Sequence, residues 1–272
     1  MFISPVEHTF KHGWTPRVVL LVITVGALAI AISNYIDTKV PDEFLIGFAI
    51  FMVILTGATW YFVGRAQADL YSEGIILQPA LGQMKEIAWN DVVETRFAQQ
   101  NINTASHFGL IGLLVAMLSK GSDSTQKNLS LQIISQDGKK LKLTSSFKDV
   151  EDAIRIVFER VNPRLYAKAV KDLQSTGKVQ FGDITVTNEG VVWKTKDQVP
   201  YAKIKKFSID GSQLRLKSEG KWLDAITVKP EKVPNVFVLI DLVENQRAGG
   251  KTGKDPVAIA MGNAFQGTSF QS

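Results

Sequence analysis

The sequence predicts a membrane-anchored α+β protein: a two-helix transmembrane hairpin, then two small β-rich domains that each close on a C-terminal helix. Three observations carry this. Two charge-free apolar runs, 18–36 and 44–63, lie near the N-terminus. From residue 66 onward the pattern changes to short β-rich runs with turn punctuation, and one unit occurs twice. Each copy then ends in a stretch with helical apolar spacing.

At a helical rise of about 1.5 Å per residue, each apolar run spans roughly 28–30 Å, the thickness of a bilayer's hydrocarbon core. A soluble core could hide one such helix, but two joined by the short polar segment 37–43 are hard to bury. Ala29, Ile30 and Ala31 offer a small-x-small pattern of the kind a signal peptidase cuts. Against that, the run is long for a signal core and seventeen residues ending in Arg17 precede it. Lys11 and Arg17 before the first run and Arg65 after the second outnumber Lys39 in the joint, which sits among Asp37, Asp42 and Glu43. The positive-inside rule therefore puts both termini in the cytoplasm. Trp14, Tyr35, Trp60 and Tyr61 bracket the runs as interfacial aromatics do. Gly26, Ala29 and Gly57 would permit close helix packing.

The 31 Lys and Arg against 26 Asp and Glu leave a net charge of +5, which suits an anionic membrane face and demands no nucleic acid. With no cysteine, disulfides, thiol catalysis and Cys-ligated metal sites are excluded. His8 and His12 are four apart but have no third ligand nearby, and His107 stands alone. The run 249–254 superficially suggests a phosphate loop. It has three residues between its outer glycines where four are needed, and Asp255 where Ser or Thr is needed. The expectation is a protein that is not an enzyme and needs no cofactor or metal.

The first copy of the repeat holds Glu73-Gly74, a loop, then Trp89 and Val92; the second holds Glu189-Gly190, a loop, then Tyr201 and Ile204. The offset between copies is 116 residues at the glycines and 112 at the aromatics, so the first loop is longer. Gly at each turn is read as a positive-φ position between two hairpin strands. In the first copy, strands 128–134 and 139–144 flank the hairpin signal Gln136-Asp137-Gly138. Ser145, Ser146 and Asp149 then open a helix with Val150, Ile154, Val157, Phe158 and Val161 on one stripe. In the second, strands 204–209, 213–217 and 222–228 precede a helix through Val236, Leu239, Ile240 and Val243.

A strand meander followed by one amphipathic helix is the order of a pleckstrin-homology-like (PH-like) barrel. Residues 179–244, with Phe181-Gly182, Asn188-Glu189-Gly190, Val199-Pro200-Tyr201 and Val233-Pro234-Asn235-Val236, resemble a family of uncharacterised proteins with PH-like domains. The first copy, with Tyr71, Glu73-Gly74 and Ile87-Ala88-Trp89, is similar to small bacterial PH domains attached to membrane helices. The resemblance implies two PH-like β-barrels on the cytoplasmic side of a bacterial inner membrane and no catalytic activity. The expected divisions are a cytoplasmic segment 1–17, the hairpin 18–65, a first PH-like domain 66–162, a linker helix 163–177, a second PH-like domain 178–246 and a flexible tail 247–272.

Two surfaces stand out as candidate contacts. The apolar insertion 108–118 within the first copy, with Phe108, Leu110, Ile111, Leu114 and Leu118, is too short to span a bilayer. It fits an interfacial helix, a protein-contact patch or an extra core helix. Arg160, Arg164, Lys168 and Lys171 fall on one helix face and suit lipid headgroups if they are not simply solvated. The expected partners are membrane lipids and a protein or membrane complex, and no nucleic acid. The expected role is a binding or scaffold protein, or else an accessory structural subunit of a larger membrane complex.

Overall fold

The computed structural model describes residues 2–13, 15–39, 42–103, 125–194, 198–210, 212–220 and 224–249. The first half runs β1 (Val6–Lys11), α1 (Thr15–Thr38), α2 (Glu43–Arg65), β2 (Gln67–Tyr71), β3 (Gly74–Gln78), β4 (Lys85–Ala88), β5 (Val92–Asn103), β6 (Thr125–Ser135), β7 (Lys140–Thr144) and α3 (Val150–Thr176). The second runs β8 (Lys178–Phe181), β9 (Ile184–Thr187), β10 (Gly190–Trp193), β11 (Val199–Pro200), β12 (Ile204–Asp210), β13 (Gln213–Ser218), β14 (Ile226–Val228) and α4 (Val236–Arg247). The chain is therefore a mixed α+β protein with two apolar N-terminal helices and several antiparallel sheets.

The two halves repeat one plan. Each has a four-stranded antiparallel meander (β1 to β4, β8 to β11), a 3-10 turn (Trp89–Asp91, Tyr201–Lys203), a three-stranded meander (β5 to β7, β12 to β14) and a helix. The four- and three-stranded sheets stay separate, and among the described residues no strand pairing closes either half into a barrel. Residues 6–11, read from sequence as part of a segment preceding the hairpin, form the first strand of the first sheet. β1 pairs antiparallel with β2 from Val6↔Tyr71 to Lys11↔Gln67. The equivalent pair in the second half, β8 and β9, is joined by a tight turn at Gly182 and Asp183, with Gly182 at φ +64°. In the first half, the two apolar helices stand where that turn would be.

The repeat holds down to single hydrogen bonds. Trp89 donates from Nε1 to the carbonyl of Tyr71 at 3.0 Å, and Tyr201 donates from its hydroxyl to the carbonyl of Thr187 at 2.6 Å. Both acceptors lie three residues before the repeated glycine. The backbone N–H of each aromatic bonds the residue just before that glycine, Glu73 and Glu189. Desolvation of the Tyr201 hydroxyl pushes its pKa up to about 12. Gly74 and Gly190 themselves are not at positive φ. Their role is steric: a Cβ would lie under 3 Å from the Ile87 carbonyl at one and the Val199 carbonyl at the other. The neighbouring strand simply comes too close for any side chain.

The helix after β7 corrects two sequence readings. Asp149 makes no side-chain cap. The Ser145 hydroxyl instead accepts from the backbone N–H of Leu129 at 2.6 Å, tying β7 to β6. Residues 150–176 form one helix that continues through Pro163. Proline lacks the N–H that would bond one turn back, so packing must hold the helix together there. Val161, Asn162 and Leu165 around it are all buried. Both amide atoms of Asn162 lack a hydrogen-bond partner among the described residues.

α3 is shared by both halves. Phe97 of β5, Phe158 of α3 and Phe237 of α4 form one buried aromatic cluster, with ring centroids 4.5 Å apart for Phe158 and Phe237 and 5.2 Å for Phe97 and Phe237. About two turns further along both helices, Asn245 donates to the Tyr166 hydroxyl at 2.5 Å. The two contacts share one register, so Asn162 lies level with the buried Asp241 between them. Asn235, at φ +52°, fastens the second half to β5. Its side-chain oxygen accepts from Thr95 N at 2.8 Å and Thr95 Oγ1 at 3.2 Å, while its own N–H donates to the Thr95 carbonyl at 2.8 Å.

α1 and α2 are each long and apolar enough to cross a membrane, and only 6% and 11% of their most apolar windows are buried. They thus lie largely outside the core of the chain. They meet through hydroxyls: Thr24 and Thr56 Oγ1 are 2.5 Å apart, one donating to the other, and each also lies 2.8 Å from a carbonyl one turn back, of Leu20 and Met52. The close glycine packing expected of Gly26 and Gly57 does not occur. A Cβ at Gly26, Gly47 or Gly57 would meet nothing within 4 Å.

Candidate membrane and partner interface

The base of the hairpin is tied into the first sheet. Just before α1, His12 donates its N–H to the carbonyl of Ala66, just after α2, at 3.2 Å. Gly13 N–H reaches the Ser146 carbonyl at 2.7 Å, Lys148 N–H reaches the Lys11 carbonyl at 2.9 Å, and the His12 and Phe147 rings lie 5.8 Å apart. Asp69 receives the Thr9 hydroxyl across the β1–β2 pair at 2.7 Å and the amide of Gln67, on its own strand, at 2.8 Å. Arg17 stacks over Trp60 at 5.8 Å, and Arg65 donates to the Tyr61 hydroxyl at 2.8 Å. Both ends of the hairpin therefore leave the same end of one sheet. His8 and His12 sit on and just after β1, and the described residues contain no group of three His, Asp or Glu able to hold a metal.

The insertion carrying Phe108, Leu110, Ile111, Leu114 and Leu118 lies outside the described residues, but the strands on either side of it are clear. β5 and β6 pair all the way to Asn103↔Thr125, whereas β7 reaches only to Ser130. The pairs from Gln99↔Leu129 outward form a two-stranded ribbon beyond β7. Leu129 meets Ser145, next to the Ser146 and Phe147 that hold the hairpin base. The ribbon thus leaves the sheet at the same end as the two apolar helices.

Arg160, Arg164, Lys168 and Lys171 of α3 share one exposed face, because the helix is unbroken. Two of them are engaged with the first half. Arg160 Nη2 bonds Glu7 Oε2 at 3.0 Å, and Arg164 donates to the carbonyls of Trp89, at 3.1 Å, and Val92. α3 starts where Lys148 touches Lys11 at the hairpin base and meets Glu7, further back along β1, at Arg160. Lys168 and Lys171 continue in that direction, with Lys171 about 16 Å beyond Arg160 at helical rise. They are exposed and lie further along the helix from the hairpin base. Sequence spacing revealed the stripe but not the Glu7 pair, since β1 had not been recognised as a strand. It also missed Asn235, whose signal was present: an Asn able to take positive φ directly before a helix.

The model of DUF6585, a family of unknown function, matches residues 113–251, just over half of the chain. None of the curated proteins and none of the solved structures compared matches it.

Proposed function

The chain belongs to DUF6585, a family of unknown function, and from that premise we propose that it is a non-enzymatic, membrane-anchored binding protein. Its two halves serve as tandem PH-like domains at the cytoplasmic face of a bacterial inner membrane, recognising a protein partner or lipid headgroups. The repeated plan of four strands, three strands and a helix supports the PH-like reading. The observation that carries the anchored reading is the pairing of β1 with β2 across the two apolar helices, which puts both helix ends and the first domain on one side. The insertion with Phe108, Leu110, Ile111, Leu114 and Leu118 is then a membrane-contact segment, since the β5–β6 ribbon emerges at the hairpin end. Lys168 and Lys171, on the far part of α3, suit an acidic protein surface better than headgroups.

A second reading, an accessory subunit of a membrane complex, is favoured by one feature: the open faces of α1 and α2 around Gly26, Gly47 and Gly57. Purification of the full chain in mild detergent distinguishes the two. A monomer or dimer that inserts into liposomes and captures a partner through its soluble domains supports the binding protein. A stoichiometric complex that survives loss of Lys168 and Lys171 but not substitutions on the helices supports the subunit. A chain released from membranes by alkaline extraction refutes both.

A further inference from the structure

Two large apolar side chains are exposed on the connection between β3 and β4: Leu81 at 72% and Met84 at 60%. The six-residue loop 79–84 reads Pro-Ala-Leu-Gly-Gln-Met, without charge, and turns at Gly82 with φ +104°. Its place follows from strand register. Lys11 of β1 pairs with Gln67 of β2, and Gln67 with Gln78 of β3. The loop therefore leaves the sheet at the level where β1 and β2 pass into α1 and α2.

Behind the loop lies a groove of about 460 Å³ between the two sheets of the first half. Lys85 on β4 and Lys140 and Lys142 on β7 line it, with Gln83 and Gln132 as neutral donors. The three lysines come from two sheets, and Lys85 is more than fifty residues from Lys140 and Lys142, so the sequence does not announce the set. Lys85 Nζ donates to the Lys140 carbonyl at 2.9 Å, which fixes one of its three protons and leaves two for a ligand. Lys139, next in sequence, pairs with Asp137 at 2.8 Å and is not part of the set. Glu86 follows Lys85 on β4, and alternation puts it on the other face of the strand.

We propose that this groove grips the phosphate of an anionic phospholipid in the bilayer that holds the hairpin, while Leu81 and Met84 dip into the interface beside it. The inference rests on the reading of α1 and α2 as membrane-crossing. A cation cluster next to an exposed apolar loop is complementary to an anionic, amphipathic surface and to little else. Because the anchor already holds the first half at the bilayer, the groove needs no high affinity of its own. Its effect is to fix the tilt of the domain on the membrane.

The absence of cysteine makes the test direct. Leu81→Cys and, in the β2–β3 turn at the opposite end of the sheet, Ser72→Cys are labelled with an environment-sensitive fluorophore in the full chain. Both are reconstituted into phosphatidylcholine vesicles with and without phosphatidylglycerol, and quenching by a spin-labelled lipid is read. The expected result is quenching several-fold stronger at 81 than at 72, increased by phosphatidylglycerol. That increase should vanish in Lys85→Gln/Lys140→Gln/Lys142→Gln. Equal quenching at the two sites, or a phosphatidylglycerol effect that the triple variant retains, overturns the proposal. Alkaline extraction separates the failures: a chain that stays in the vesicles with an unquenched label at 81 refutes this inference alone. A chain that is stripped off refutes the anchored reading with it.

Discussion

At Gly74 and Gly190 a single methyl group has nowhere to go, because the carbonyls of Ile87 and Val199 occupy its place. Gly74→Ala or Gly190→Ala should lower the stability of the detergent-solubilised chain by about 1–3 kcal/mol, read as an earlier urea midpoint. Gly57→Ala, in open space, should leave the midpoint unchanged. The repetition of these glycines was visible in the sequence and their reason was not. A missing side chain can be seen in a sequence, but the carbonyl that forbids it belongs to a strand more than ten residues away at Gly74. Tyr201 supplies a pH prediction. Folding holds its proton up to about 12, whereas the unfolded tyrosine titrates near 10.0, so its contribution is complete below pH 10 and lost as pH rises toward 12. Tyr201→Phe should flatten that alkaline limb in pH-dependent denaturation. It should also cost about 1 kcal/mol at neutral pH through the lost bond to Thr187.

Among elements, α3 is the member on which the two halves depend. Asn162, whose two amide atoms find no partner among the described residues, is a weak point in its buried seam. Asn162→Leu should raise stability by about 1–2 kcal/mol, because no hydrogen bond is given up and a buried amide is removed. Asn235→Gly keeps the positive φ and the backbone bond to the Thr95 carbonyl but deletes the side-chain bonds to Thr95 and Val93, so it should loosen the second half from β5. Hydrogen exchange of the Thr95 amide would report this as faster exchange, with β8 to β11 unaffected. The amphipathic stripe of the helix was legible, since burial on one face imposes a local period. Its passage through Pro163 was not. Proline's local penalty argues for a break, and the packing that overrides it comes from the Phe97 and Phe237 of distant elements.

For the whole molecule, the two apolar runs were the easiest features to read, because a hydrocarbon environment makes its demand on each residue separately. β1 was the hardest. The six residues Val-Glu-His-Thr-Phe-Lys bury only Phe10 well, and their partner strand begins 56 residues further on. That pairing can be tested by subtraction. Replacing 13–65 with a short turn like that at Gly182 and Asp183 should give a folded chain that needs no detergent, because His12 and Ala66 already meet. A circular dichroism melt with a single cooperative transition would support it; aggregation without detergent would refute it.

The same strand pair also sets an order of events during synthesis. β1 leaves the ribosome first and stays unpaired until both helices and then β2 have emerged. On the proposed membrane-crossing reading, the pair can form only with an even number of crossings between the strands, so that both helices enter the bilayer or neither does. A chain that inserts one helix alone leaves β1 and β2 on opposite sides, with a bare sheet edge on one of them. On that reading, completion of the first sheet acts as a checkpoint on insertion: a chain that inserts one helix alone displays an unpaired strand that quality-control proteases can find.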